Sequence, residues 1–126
     1  MARSRTSLAA ALAAVVRSGL SWNENWPYED ARNSVPQMNE SGDPYRHVLE
    51  LELVSEPGTL WNYNSGNTML LAAILHKVTG KEVSKLAQDD LFRPLGIKNA
   101  EWTRKRWYGG LRLRARDLAK LGQLVS

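Results

Sequence analysis

The stretch EPGTLWNYNSGNTMLLAAILHKVTG, residues 56–80, carries the strongest structural signal in the chain. Leu70, Leu71, Ile74, Leu75 and Val78 recur at helical spacing and give a broad apolar face from about Ser65 to Thr79. Gly80 follows where a helix ends best on a left-handed residue. This helix is expected to lie at the buried centre. Pro57-Gly58 ahead of it is a turn signal, and Trp61 to Tyr63 is too short to classify. Two readings attach to the helix mouth. Local physics makes Ser65 an N-cap and Tyr63 a packed aromatic. The chemical alternative is that Tyr63 and Ser65, two apart, point to one side where backbone N–H groups favour negative charge, so that a polarised tyrosine serves as a base.

Working outward, Asp43-Pro44 reads as an N-cap and first-turn proline, with Tyr45, Val48, Leu49 and Leu53 continuing at helical spacing. Residues 18–41, rich in Trp, Asn, Pro, Gly and Ser, read as one long ordered loop. Trp22, Trp26 and Tyr28 in that loop must pack against either the core or a substrate. Leu8 to Val16 reads as a short helix, or as a weak imitation of a secretory signal behind Arg3 and Arg5. Downstream, Val83, Leu86, Ala87 and Leu91 predict a helix that Pro94 stops. Ala100 to Thr103 suit a short strand and Gly109-Gly110 a turn. Leu118, Leu121, Gly122 and Val125 form a last helical stripe from about Ala115, with Asp117 in its first turn.

Composition narrows the function classes. The chain has 126 residues, 43% hydrophobic and 24% charged, which is ordinary globular usage for one domain. With no cysteine there is no thiolate nucleophile, zinc-thiolate site or disulfide frame, and His47 and His76 stand in no metal spacing. No metal and no cofactor is expected. No apolar run reaches the 18 or so residues of a membrane span. Charge is uneven: residues 24–56 hold eight acids and two bases, a net of −6, while residues 98–120 hold eight bases and two acids, a net of +6. A basic stretch containing Trp102, Trp107 and Tyr108 is compatible with nucleic-acid stacking. The plainer reading is a solvated basic face, and no nucleic-acid partner is expected.

Residues 56–80 resemble the second motif region of the serine β-lactamase and penicillin-binding-protein-like superfamily, and look most similar to class C-type esterases and 6-aminohexanoate-dimer hydrolases. The resemblance runs over about residues 18–126. Ser18-Gly19-Leu20-Ser21-Trp22-Asn23-Glu24 looks like the family's S-G-L-x-W-x-E loop. Leu91-Phe92-Arg93-Pro94-Leu95-Gly96-Ile97 looks like its L-F-x-P-L-G-I segment, and Gly109-Gly110-Leu111 through Gly122 looks like its G-G-L and D-L-A-x-x-G stretch. The resemblance implies the mostly helical region of an α/β fold, with at most short strands here and most of the sheet missing. It also implies an amide or ester substrate, an acyl-serine intermediate, and Tyr63 as the motif tyrosine that relays protons. Ser65 matches the third motif position, which holds a lysine or the substrate. Asn64 falls on the variable middle position and receives no role. Trp22, Trp26 and Tyr28 match a substrate-side loop.

The departures are equally specific. No serine in the chain has a lysine three residues on, so the S-x-x-K nucleophile motif is absent, and no K-T-G or H-x-G strand follows the last helix. The expectation is a single partial domain over residues 1–126, inactive alone, from a longer hydrolase that is periplasmic or secreted. The alternative is a non-catalytic binding module using the aromatic loop and the basic segment. Apolar faces left uncovered would favour self-association.

Overall fold

The computed structural model describes residues 15–104 and 109–126, and helices dominate them. In chain order these are α1 (Ser34–Glu40), α2 (Pro44–Leu49), α3 (Ser65–Thr79), α4 (Val83–Ala87) running into a π-turn (Gln88–Phe92), the strands β1 (Glu101–Arg104) and β2 (Gly109–Arg112), and α5 (Ala115–Val125). The described residues fall into two compact units that divide within α3, between Leu71 and Ala72. The helix expected over Leu8 to Val16 lies outside the described residues except for its last part, where residues 15–17 are helical. Trp107 and Tyr108 also lie outside them.

In the first unit the segment after residue 15 is laid along residues 52–62. An isolated antiparallel bridge joins Leu20 to Leu53, and backbone bonds run from Ser21 N to Glu52 O (2.8 Å), Val54 N to Gly19 O (2.9 Å) and Asn62 N to Val16 O (2.7 Å). Gly19 is required there: its φ is +79°, and a Cβ would come within 2.1 Å of the Ser55 carbonyl oxygen. Trp22, Met38, Val48 and Met69 are buried, and with them the polar side chains of Asn33, Ser34, Asn64 and Asn67. Burial of such groups is tolerated where they are bonded, as most of these are, Asn64 Nδ2 being the exception. Asn67 Nδ2 donates to Val15 O (3.0 Å) and Ser18 Oγ (2.8 Å), and Asn33 Nδ2 donates to Trp26 O (2.6 Å).

Two expectations change here. The loop expected over residues 18–41 contains α1, which forms because Asn33 Oδ1 accepts from Val35 N (2.9 Å) and caps it. Seven residues with few apolar positions leave too short a stripe for periodicity to reveal. The Asp43-capped helix does form, with Asp43 Oδ1 accepting from Arg46 N (3.1 Å), but it ends at Leu49, and Leu53 belongs instead to the bridge with Leu20.

Helix α3 has the expected bounds and Gly80 the expected positive φ, +69°. Its burial differs from expectation. Gly66, Asn67, Met69 and Ala72 are buried, whereas Ile74 and Leu75 are exposed and Val78 is 79% exposed. Contact with Trp22 and Val48 is made through Gly66, so the packed face is the one that carries the glycine.

In the second unit the helix expected to stop at Pro94 ends at Phe92, with Arg93 as its C-cap. Proline has no N–H, and its ring crowds the preceding turn. The turn before Pro94 widens accordingly, with Arg93 N bonded to Gln88 O (3.0 Å). The turn beyond it closes on Gly96, at φ +66°: Ile97 N donates to Phe92 O (2.8 Å) and Gly96 N to Arg93 O (3.0 Å), the paired bonds of a Schellman motif. Phe92 and Ile97, its two apolar ends, are both buried. Gly109-Gly110, expected as a turn, opens β2, which pairs antiparallel with β1 in the register Glu101↔Arg112, Trp102↔Leu111 and Arg104↔Gly109. Gly110 is needed because a Cβ would lie 1.9 Å from Thr103 Oγ1. Asp117 sits buried in the first turn of α5 and meets Lys120 Nζ at 3.2 Å, while Lys120 Nζ also donates to Gly96 O (3.4 Å).

Candidate functional site

The start of α3 is held from two directions. Asn64 Oδ1 accepts from Asn67 N (3.0 Å), so Asn64 is the N-cap that local reasoning had assigned to Ser65. The middle residue of Tyr63-Asn64-Ser65 thus has a structural role. From 41 residues upstream, Glu24 Oε2 accepts from Ser65 N (2.8 Å) and Glu24 Oε1 from Ser65 Oγ (2.7 Å). A carboxylate placed on the first N–H groups of a long helix is favoured by the helix dipole.

The same carboxylate ties down the loop that brings it. Trp22 Nε1 donates to Glu24 Oε2 (2.6 Å), and Tyr28 OH donates to Glu24 Oε1 (3.4 Å). Trp22, at 7% exposure, is a core side chain whose ring edge faces Gly66. Trp26 and Tyr28 lie open at 39% and 52%. The Arg32 guanidinium stands 3.3 Å from the Trp26 ring centroid, which covers one face of that indole. Arg32 is held in turn by Asp30, with Nε–Oδ1 at 2.9 Å and Nη2–Oδ2 at 2.6 Å. This pairing holds the Asp30 carboxyl below its ordinary value and lifts Arg32 above its own.

Tyr63 is 57% exposed, not packed, and its phenol makes no side-chain hydrogen bond among the described residues. Ser65 is half-buried on the next turn of chain. Ser65, Trp22 and Tyr28 therefore gather around one acid, Glu24, to which the sequence alone gives no chemical role, while Tyr63 stands two residues before Ser65. The signal available was its place in the S-G-L-x-W-x-E loop. Two polar atoms are buried without hydrogen-bond partners among the described residues, Asn64 Nδ2 and His47 Nε2. No three acidic or histidine side chains gather as a metal-holding group among the described residues, and no described helix is long and apolar enough to cross a membrane.

Comparison with known proteins supplies the family. A D-aminopeptidase of Brucella anthropi is 38% identical over 45 residues, a stretch covering 36% of this chain and 9% of that protein. The match thus spans a small part of that relative's length. The sequence model of the beta-lactamase family aligns with residues 13–124, nearly the whole chain, and takes in the tyrosine motif, the Phe92–Ile97 turn and α5. A mostly helical arrangement with two short strands agrees with the helical part of that fold. The chain therefore belongs to the beta-lactamase family, within the serine β-lactamase and penicillin-binding-protein-like superfamily of hydrolases.

Proposed function

We propose that this chain contributes the tyrosine side of a site that hydrolyses an amide or ester bond through an acyl-serine intermediate. The observation that carries this reading is Tyr63, whose phenol is open to solvent while the two residues after it are fixed by Asn64 and Glu24 hydrogen bonds. The chain beside Tyr63 is thereby held in place, which positions the phenol for proton transfer. As the serine oxygen attacks the carbonyl carbon, its proton passes to the Tyr63 oxygen while the phenol hands its own proton to the lysine of the Ser-x-x-Lys segment; as the tetrahedral intermediate collapses, the relay runs in reverse and delivers a proton to the departing amine or alkoxide. Water then attacks the acyl-serine, which releases the acid and restores the hydroxyl. Similarity to a D-aminopeptidase favours a small amide over an ester.

The chain holds no Ser-x-x-Lys, so the attacking serine comes from outside these 126 residues. Incubated alone with p-nitrophenyl acetate, the chain is expected to keep its intact mass; a stable acetyl adduct on a serine would overturn that assignment. Joined to a segment bearing Ser-x-x-Lys, it should lose about 10² to 10⁴ in turnover on Tyr63→Phe, the worth of a positioned proton transfer. Unchanged turnover would remove Tyr63 from the chemistry. A second reading, a binding module, draws on Trp26 and Tyr28 at the surface. Arg32 already occupies one face of Trp26, which leaves that surface a smaller platform than the sequence suggests.

A further inference from the structure

We infer that the acidic edge around Leu53 in one copy of this chain takes the basic residues 111–114 of a second copy as an added antiparallel strand. The backbone supplies the first argument. Ser21 N donates to Glu52 O (2.8 Å) and Val54 N to Gly19 O (2.9 Å), so residues 52 and 54 turn their backbone groups toward residues 19–21. Leu53 lies between them at a non-hydrogen-bonded position of the ladder, so its own N–H and C=O face the opposite edge. Neither takes a hydrogen bond among the described residues. Leu113, between β2 and the extended Arg114 (φ −70°, ψ 149°), likewise has N–H and C=O unbonded among the described residues. Two such residues can exchange both bonds, as happens when an extended segment adds to an open sheet edge.

The side chains select the partner. Residues 49–53 read Leu-Glu-Leu-Glu-Leu and residues 111–114 read Leu-Arg-Leu-Arg, the same alternation with opposite charge. Setting Leu53 opposite Leu113 in the antiparallel sense sets Glu52 opposite Arg114 and puts Arg112 diagonal to Glu52 on the same face. Glu52, Arg112 and Arg114 are exposed and form no ion pair among the described residues, and Glu101, across the hairpin from Arg112, forms none with it. Glu50 has only the exposed Arg46 at 3.4 Å. Pairing two acidic segments, or two basic ones, would set like charges across the ladder, so the contact joins unlike surfaces. Each copy in such a contact still offers one free segment of the other kind, and association therefore continues beyond two copies unless a ring closes.

The test is sedimentation velocity of the full 126-residue chain, with far-UV circular dichroism to verify folding. Association is expected to rise with concentration and to weaken by about tenfold or more when salt is raised from about 0.05 to about 0.5 M. Reversing either segment alone, by Glu50→Lys with Glu52→Lys or by Arg112→Glu with Arg114→Glu, should weaken it to a similar degree, because like charges then face each other. Mixed in equal amounts, the two variants should associate again, since the acidic edge of one meets the basic strand of the other. Should a double variant lose its helical signal, Glu52→Gln and Arg114→Gln carry the same comparison with a smaller loss. Hydrogen exchange at Leu53 and Leu113 should slow as association proceeds. A chain that stays monomeric, association indifferent to salt and to the charge variants, no recovery on mixing, or unchanged exchange at both leucines would each overturn the inference. The contact uses none of Tyr63, Ser65 and Glu24, so its outcome is independent of the functional reading above.

Discussion

Gly66 and Gly122 both lie on helices, and an added methyl meets opposite surroundings at each. At Gly66 a Cβ would stand 2.9 Å from Trp22 Cζ3 and 2.9 Å from Val48 Cγ2, both parts of buried side chains. Gly66→Ala is therefore expected to destabilise the fold by about 1–3 kcal/mol, the range for overfilling a packed core. At Gly122 a Cβ would meet nothing within 4 Å. Gly122→Ala should raise stability by about 0.5–1 kcal/mol through helix propensity alone. Urea midpoints by far-UV circular dichroism check both, and two shifts of the same sign would contradict the packing described. Sequence could locate these glycines but not tell them apart, because the difference lies in Trp22 and Val48, 44 and 18 residues away from Gly66 along the chain. Ser65 carries the same lesson. Its neighbours in sequence suggested a cap, and its partner in space made it a hydroxyl donor to Glu24.

At the scale of elements, the segment from α4 to the Phe92–Ile97 turn is organised by charge as well as by its glycine. Asp89 receives Lys85 at 3.1 Å, Arg93 at 2.7 Å and Lys81 at 3.8 Å. The Lys85 hydrogen bond, supported by the charges of Lys85, Arg93 and Lys81, holds the Asp89 carboxyl below its ordinary value of 3.8. A carboxyl depressed in the folded state stabilises that state above its unfolded pKa, and the contribution disappears as pH falls through the lower folded-state value. Asp89→Asn should thus lower stability at neutral pH, and the difference from wild type should close in strong acid. Added salt should shrink the difference too, because the cationic partners are exposed. Urea unfolding of both proteins across pH checks this; a difference constant from neutral to strongly acidic pH would assign the effect to something other than the charge. The elements themselves were largely legible. Asp43-Pro44, Gly80 and the stripe of α5 are local signals, and the helices there begin or end where those residues stand. Helix α1 and the π-turn were not, since one is too short for periodicity and the other is a local widening of the last turn ahead of Pro94.

For the molecule as a whole, exposed apolar side chains set the expected behaviour in solution. Leu49, Leu53, Val54, Leu60 and Trp61 are exposed in the first unit, and Leu118, Leu124 and Val125 in the second. Such a surface predicts association between copies of the chain that grows with concentration, measurable as a rising sedimentation coefficient. A monomer throughout the accessible range would show that these side chains are tolerated singly.

The amino-acid sequence by itself determined the family, the mostly helical class, the bounds of α3 and the place of Tyr63 before it. Caps, stripes, prolines and motif order are written within a few residues of where they act. Tertiary structure decided which face of α3 is buried, that Trp22 is a core side chain, and that Glu24 crosses 41 residues to hold Ser65. Those outcomes depend on hydrogen bonds and close contacts between distant segments, and no periodicity in either segment encodes which partner the other will meet.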